Sequence, residues 1–161
     1  FKWGSTPINK WSWQHHPQRK FTVSIAYQWS LNTQKKVRSA RYIWSKACIP
    51  RQAIIWWLAL RNKLPVKKRL SEYIQIDIRC KLCNEEEEDH YHVFITCRVA
   101  MTVWGEVCNW LGMRHPRGGL ELWLYAIMNK KQTRAKKDIK CAAIAATIYN
   151  IWYERNLVEF H

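Results

Sequence analysis

Apolar residues recur along this chain at helical spacing far more often than they alternate. The clearest run follows Arg98, where Ala100, Val103, Trp104, Val107, Cys108 and Leu111 return at intervals that keep them on one stripe of a helix. Gly112 stands where such a helix should stop. Upstream, Pro50 suits the first turn of a helix whose body is Ala53-Ile54-Ile55-Trp56-Trp57-Leu58-Ala59-Leu60. That run is apolar nearly all round, which predicts burial at the centre of the fold. Leu64-Pro65 ends it, and Val66 to Tyr73 reads as a second, basic helix. Glu121 to Met128 is a further helical stretch. A last helix spans residues 136–156 and offers Ile139, Ala142, Ala143, Ala146, Ile148, Ile151 and Trp152 for packing.

Period-two alternation is confined to the start of the chain. Trp11-Ser12-Trp13 and Lys20-Phe21-Thr22-Val23 alternate as strands do, and His15-His16-Pro17-Gln18-Arg19 between them has turn chemistry, so a β-hairpin is expected. Ser24 then caps a short helix carrying Ile25, Tyr27, Trp29 and Leu31. Residues 32–41 are polar and basic and read as a loop. The expected fold is mostly α with an N-terminal β-hairpin, a small helical domain. Its segments are residues 1–31, a core at 42–111, and a C-terminal helical part at 120–161.

A chain of 161 residues can bury roughly two-thirds of its unfolded surface, enough for a real core. Eleven tryptophans supply much of that core. The most apolar tail, Cys141 to Tyr153, is short of the roughly 20 residues that span a bilayer, which predicts no membrane partner. With Phe1 in place of an initiator Met, the sequence reads as a piece of something longer.

Charge divides the chain unevenly. Residues 1–79 hold sixteen Lys and Arg against Glu72 and Asp77, while residues 80–161 hold eleven against ten acids. A basic half of this strength attracts polyanions. The plainer alternative is a solvated surface that keeps an aromatic-rich protein in solution.

One stretch commits to a chemistry. Cys80, Cys83, His92 and Cys97 form C-x2-C-x8-H-x4-C, a CCHC pattern, and three thiolates with one imidazole match a tetrahedral structural Zn2+ site. Asn84, just past the second Cys, tolerates the left-handed backbone that a metal-gripping turn needs. Four protein ligands leave no open position, so the ion should hold structure rather than perform chemistry. A redox pair lacks the surrounding strand–helix pattern. A disulfide lacks an oxidising context, and the segment Arg79 to Asn84 is too polar for ordinary core thiols. His90 is the rival imidazole. His92 is preferred because Val93-Phe94-Ile95 after it can pack inward and fix the ring. The acids Glu85 to Asp89 read as a solvated loop tip, since hard carboxylates lose to thiolates for zinc. Cys48, Cys108 and Cys141 sit singly in apolar segments and read as small core residues of a reducing, intracellular compartment, nucleus or cytoplasm. No phosphate loop, dinucleotide fingerprint or nucleophile elbow occurs, so neither an enzyme nor a small-molecule substrate is expected.

Lys67, Lys68 and Arg69 cluster at a helix start, where cations oppose the macrodipole. Anion contact explains them better than local stability, and with Lys35, Lys36 and Arg38 they form the expected nucleic-acid patch, RNA or DNA.

The zinc segment, with Glu88-x3-His92-Val93-Phe94-x2-Cys97 and Trp104 downstream, resembles the zinc-binding domain found C-terminal to the reverse transcriptase of plant non-LTR retrotransposons. Lys20 to Tyr27, Ile43-Trp44, Ile49-Pro50-Arg51, Trp57 and Leu64-Pro65 are similar to segments of that family, as is the ending Ile151-Trp152-Tyr153-Glu154-Arg155-Asn156. Val66 and Asn84 depart from it, the first removing a helix cap. The resemblance implies an accessory, non-catalytic module of a reverse transcriptase polyprotein that helps hold template RNA or target DNA. The alternatives are a structural or protein-interaction module bracing the polymerase, or an inactive remnant.

Overall fold

Helices carry most of the residues described by the computed structural model, which are 22–32 and 37–160. The chain divides into two units, one ending at Val37 and one running from Arg38 onward. In the first, α1 spans Val23–Asn32. Thr22 Oγ1 accepts the Ile25 N–H at 3.2 Å, so Thr22 rather than Ser24 caps this helix, and Thr22-Val23 enter a helix rather than a strand. The rest of the expected hairpin, residues 11–21, lies outside the described residues.

The second unit begins with a one-turn helix, α2 (Ala40–Ile43), whose first two residues lie in the stretch read as a loop. Polar composition hid it, because the turn is fixed by burying just Tyr42 and Ile43. Next, α3 (Pro50–Leu60) starts at its proline as expected, but only Ala53, Trp56 and Ala59 are fully buried. These recur every three residues, one stripe of the cylinder, so an apolar run that reads as buried all round leaves Ile54 49% exposed. The basic helix is also shorter than its pattern: α4 is the single turn Lys67–Leu70. Val66 has no side-chain oxygen to cap it. The Glu88 carboxylate takes the Lys67 N–H at 3.0 Å and the Glu88 carbonyl takes the Lys68 N–H at 3.0 Å, capping from outside the helix.

After the metal-binding loop, α5 (Arg98–Leu111) follows its periodicity and stops at Gly112, whose φ of 58° is the left-handed conformation a C-terminal stop requires. Helix α6 (Leu120–Met128) leads to α7 (Arg134–Phe160), 27 residues and about 40 Å long. The buried stripe of α7 is Cys141, Ile144, Ala145, Ile148, Ile151, Trp152 and Arg155, packed on α3, α5 and α2. Ile139, expected to pack, is instead exposed. Trp56, Trp104, Phe94, Leu124 and Met128 fill the centre, with the Trp104 and Trp123 rings edge to face at 4.9 Å. Each buried indole removes on the order of 200 Å2 from water. Among the described residues no helix is long and apolar enough to cross a membrane.

Candidate metal centre

Cys80 and Cys83 belong to a turn held by its own backbone. Asn84 N–H returns to the Cys80 carbonyl at 2.7 Å, and Asn84 takes φ 58°, as its residue type allowed. Two further bonds clasp the arms of the loop: Cys80 N–H to the Glu86 carbonyl and Glu88 N–H to the Ile78 carbonyl, both 2.8 Å. The other two donors come from a rarer element. Residues His92–Thr96 form one turn of π-helix, closed by Cys97 N–H on the His92 carbonyl at 2.7 Å. In an α-helix, residues five apart diverge by about 140°. The wider π turn brings the fifth residue back over the first, which is what an H-x4-C pair needs to reach one ion. Trp104 Nε1 donates to the Phe94 carbonyl at 2.8 Å and pins this turn to α5.

The four donor atoms, one from each of Cys80, Cys83, His92 and Cys97, lie within 4.8 Å of one another, and all four residues are buried. Cys80 Sγ is 4.0 Å from Cys97 Sγ, and Cys83 Sγ is 3.3 Å from His92 Nε2. A tetrahedral zinc with bonds of about 2.3 Å to sulfur and 2.0 Å to nitrogen sets those edges at roughly 3.8 and 3.5 Å. The observed spacings fit that ion, and a site of this donor set holds it for structure. The Cys97 thiol sits below its ordinary pKa because Cys80 donates a hydrogen bond to its sulfur, and the same bond pushes the Cys80 thiol up. A soft cation would displace the proton this pair shares.

His92 is the imidazole in the cluster and His90 is not. His90 faces a cleft of about 410 Å3 lined also by Asn62, Asp89 and residues 118–122. Burial there holds its pKa below the usual histidine range.

The acidic run is less of a solvated tip than its composition predicts. Glu85, Glu86 and Glu87 are all exposed, yet Glu86 Oε2 lies 3.0 Å from His92 Nδ1, which orients the ring so that Nε2 faces the sulfurs. Asp89 Oδ1 accepts the His92 N–H at 2.7 Å and caps the π turn. Glu88 is completely buried, and Arg155 of α7 donates Nε to its two oxygens at 3.0 and 3.1 Å. One turn further along α7, Glu159 pairs with Lys67 Nζ at 2.9 Å. Lys67, Glu88, Arg155 and Glu159 therefore form an alternating charge clamp between the metal-binding segment and the last helix. The three working acids were missed because each has a partner distant enough, or specific enough, that a run of like charges conceals it.

Of the expected nucleic-acid patch, Lys67, Lys68, Arg69 and Arg38 are among the described residues. Lys67 is 2% exposed and neutralised by Glu159, so its assignment to phosphate contact is corrected: it is a buried structural cation. Lys68 is exposed and pairs with exposed Glu87 at 2.9 Å, while half-buried Arg69 donates to the Lys63 carbonyl. Arg38 is exposed. Lys35 and Lys36 lie outside the described residues.

A mostly helical unit whose Cys3His cluster is embedded among buried residues defines a zinc-binding type of module, one in which a bound metal would be part of the core. The family model described as zinc-binding in reverse transcriptase matches residues 21–104, which is 84 of the 161 residues, and the chain belongs to that family. The family is an accessory domain rather than a catalytic one. No curated protein and no solved structure matches the chain.

Proposed function

We propose that this chain is a non-catalytic, zinc-stabilised nucleic-acid-binding module from the C-terminal region of a reverse transcriptase polyprotein of the plant non-LTR retrotransposon type, acting inside the cell on template RNA or target DNA. The observation that carries the reading is the charge distribution: from Arg38 to Ser71 there are nine Lys and Arg and no acid, and seven of the nine are exposed. Phosphate contacts made by such a surface are largely indifferent to sequence and release counterions. Binding of the zinc-loaded chain to RNA and to DNA, titrated with salt, tests it. Affinity should fall with a log–log slope of about −0.7 to −0.9 for each phosphate neutralised. Reversing charge at Arg38, Lys46 and Lys68 should flatten the slope. A flat slope in the unmodified chain, or unchanged affinity in the folded variant, rejects nucleic-acid binding in favour of a protein-interaction module.

A further inference from the structure

Helices α2 and α3 present aromatic faces and arginines side by side on the basic segment. Trp44 follows the last residue of α2 and is 53% exposed. Its ring centroid lies 6.4 Å from that of Trp57, with the planes inclined by 50°. Ile54 and Trp57 of α3 and Arg61, the residue that follows the helix, recur at i, i+3 and i+7, which puts them along one face. The Arg61 guanidinium carbon sits 4.7 Å over the Trp57 ring. On α2, the Arg41 guanidinium carbon sits 4.7 Å over the Tyr42 ring, and its Nη2 donates to the Tyr42 hydroxyl at 2.6 Å.

These arginines differ from the cations around the metal. Lys67, Lys68, Arg98 and Arg155 each face a carboxylate. Among the described residues Arg41 and Arg61 have no carboxylate within ion-pair distance, and both are exposed. They are ordered by π faces, which fixes the guanidinium plane while leaving its charge uncompensated. The acid that meets the residue before α2 is Glu121, which accepts from Ser39 Oγ at 3.3 Å and from the Tyr125 hydroxyl. A half-exposed indole beside uncompensated arginines suits a ligand that carries flat apolar rings and negative charge on one chain.

We propose that Trp44, Trp57, Arg41 and Arg61 form a stacking platform for single-stranded nucleic acid. This rests on the nucleic-acid reading above and names the form it takes. Unpaired bases offer their faces to an indole, whereas a duplex hides them and offers only phosphate. Trp44 supplies the open stacking surface. Arg61, over the Trp57 ring, and Arg41, over the Tyr42 ring, supply phosphate contacts.

The test uses the full zinc-loaded chain and fluorescein-labelled oligo-U and oligo-dT, with a duplex of equal length, read by anisotropy over a salt series. Trp44→Ala should weaken single-strand binding by about 5- to 150-fold, the range for losing one stacked base. It should leave the salt slope and the duplex affinity unchanged, and Trp44→Phe should restore most of the loss. Arg61→Gln should instead reduce the slope by about one phosphate. Unaltered single-strand affinity in a folded, zinc-containing Trp44→Ala protein overturns the platform, as does an equal loss on duplex and single strand. Should Trp44→Ala not fold, an Arg61→Gln protein with an unchanged slope overturns it. A wild-type chain that binds no nucleic acid at all rejects the broader reading instead, so the two failures are told apart.

Discussion

Replacing Arg155 by Met removes the guanidinium and keeps most of the side-chain volume. Glu88 is then left with a fully buried carboxylate whose only remaining partner among those described above is the Lys67 N–H, on Oε1. Oε2 loses its hydrogen bond, and the Trp152 ring loses the cation 5.0 Å above it. Removing one member of a buried ion pair costs about 3–5 kcal/mol, because the surviving charge is stranded rather than returned to water. The cation–π contact adds up to about 1–2 kcal/mol. A domain of this size is stable by roughly 5–15 kcal/mol, so Arg155→Met should consume a large share of that margin. Urea unfolding of the zinc-saturated protein, followed by tryptophan fluorescence and circular dichroism, reads the loss. The companion is Glu88→Met with Arg155→Met. It strands no charge, although the Lys67 N–H loses its cap at a cost of about 1 kcal/mol. The double variant should therefore be more stable than Arg155→Met alone, with a coupling of about 2–4 kcal/mol across the cycle. Zinc release to a chromogenic chelator should accelerate in the single variant, because Glu88 and Glu86 share the loop clasp that positions Cys80. An Arg155→Met protein destabilised by less than about 1 kcal/mol, or a coupling near zero, would refute the clamp.

Other consequences follow from the same geometry. Chelation of zinc should abolish cooperative unfolding, since structural zinc in small modules contributes about 10–16 kcal/mol, comparable with the whole stability. Retention of native near-ultraviolet dichroism in the stripped protein would contradict this. Zinc must displace the proton that Cys80 and Cys97 share, which the raised Cys80 thiol holds more tightly than a free thiol does, so competition titrations should show affinity falling as pH falls from about 8 to about 6. Glu86→Ala should weaken zinc about 10- to 100-fold by freeing the His92 ring, whereas Glu85→Ala, which breaks only an exposed pair with Arg98, should change neither zinc affinity nor stability measurably. Burial pushes the Cys141 thiol up to about 12 and raises that of Cys108 as well. Both should resist iodoacetamide at neutral pH until global unfolding, as peptide mapping of the alkylated protein would register.

What the sequence displays is whatever a local rule dictates. The ligand set and the Asn84 turn were legible because coordination chemistry restricts both residue type and spacing within a short stretch. Helices α3, α5 and α6 were legible because periodicity and a Pro or Gly at the boundary agree. Errors arise where a partner lies far off in the chain. Lys67 reads as a phosphate contact because Glu159 is 92 residues away, and Glu88 reads as one more surface acid because Arg155 is 67 residues away. The resemblance pointed to both Glu88 and Arg155 as motif positions without joining them. Their contact gives the physical reason that the ending of the chain belongs with the metal-binding loop. The family match stops at Trp104, yet a chain cut there would strand Glu88, leave Lys67 without its carboxylate and expose the Trp104 edge that Trp123 covers. Each loss is one that buried groups tolerate poorly. The unit that holds zinc is therefore set by charge pairing across its whole length, and residues 105–161 are as much a part of it as the four ligands.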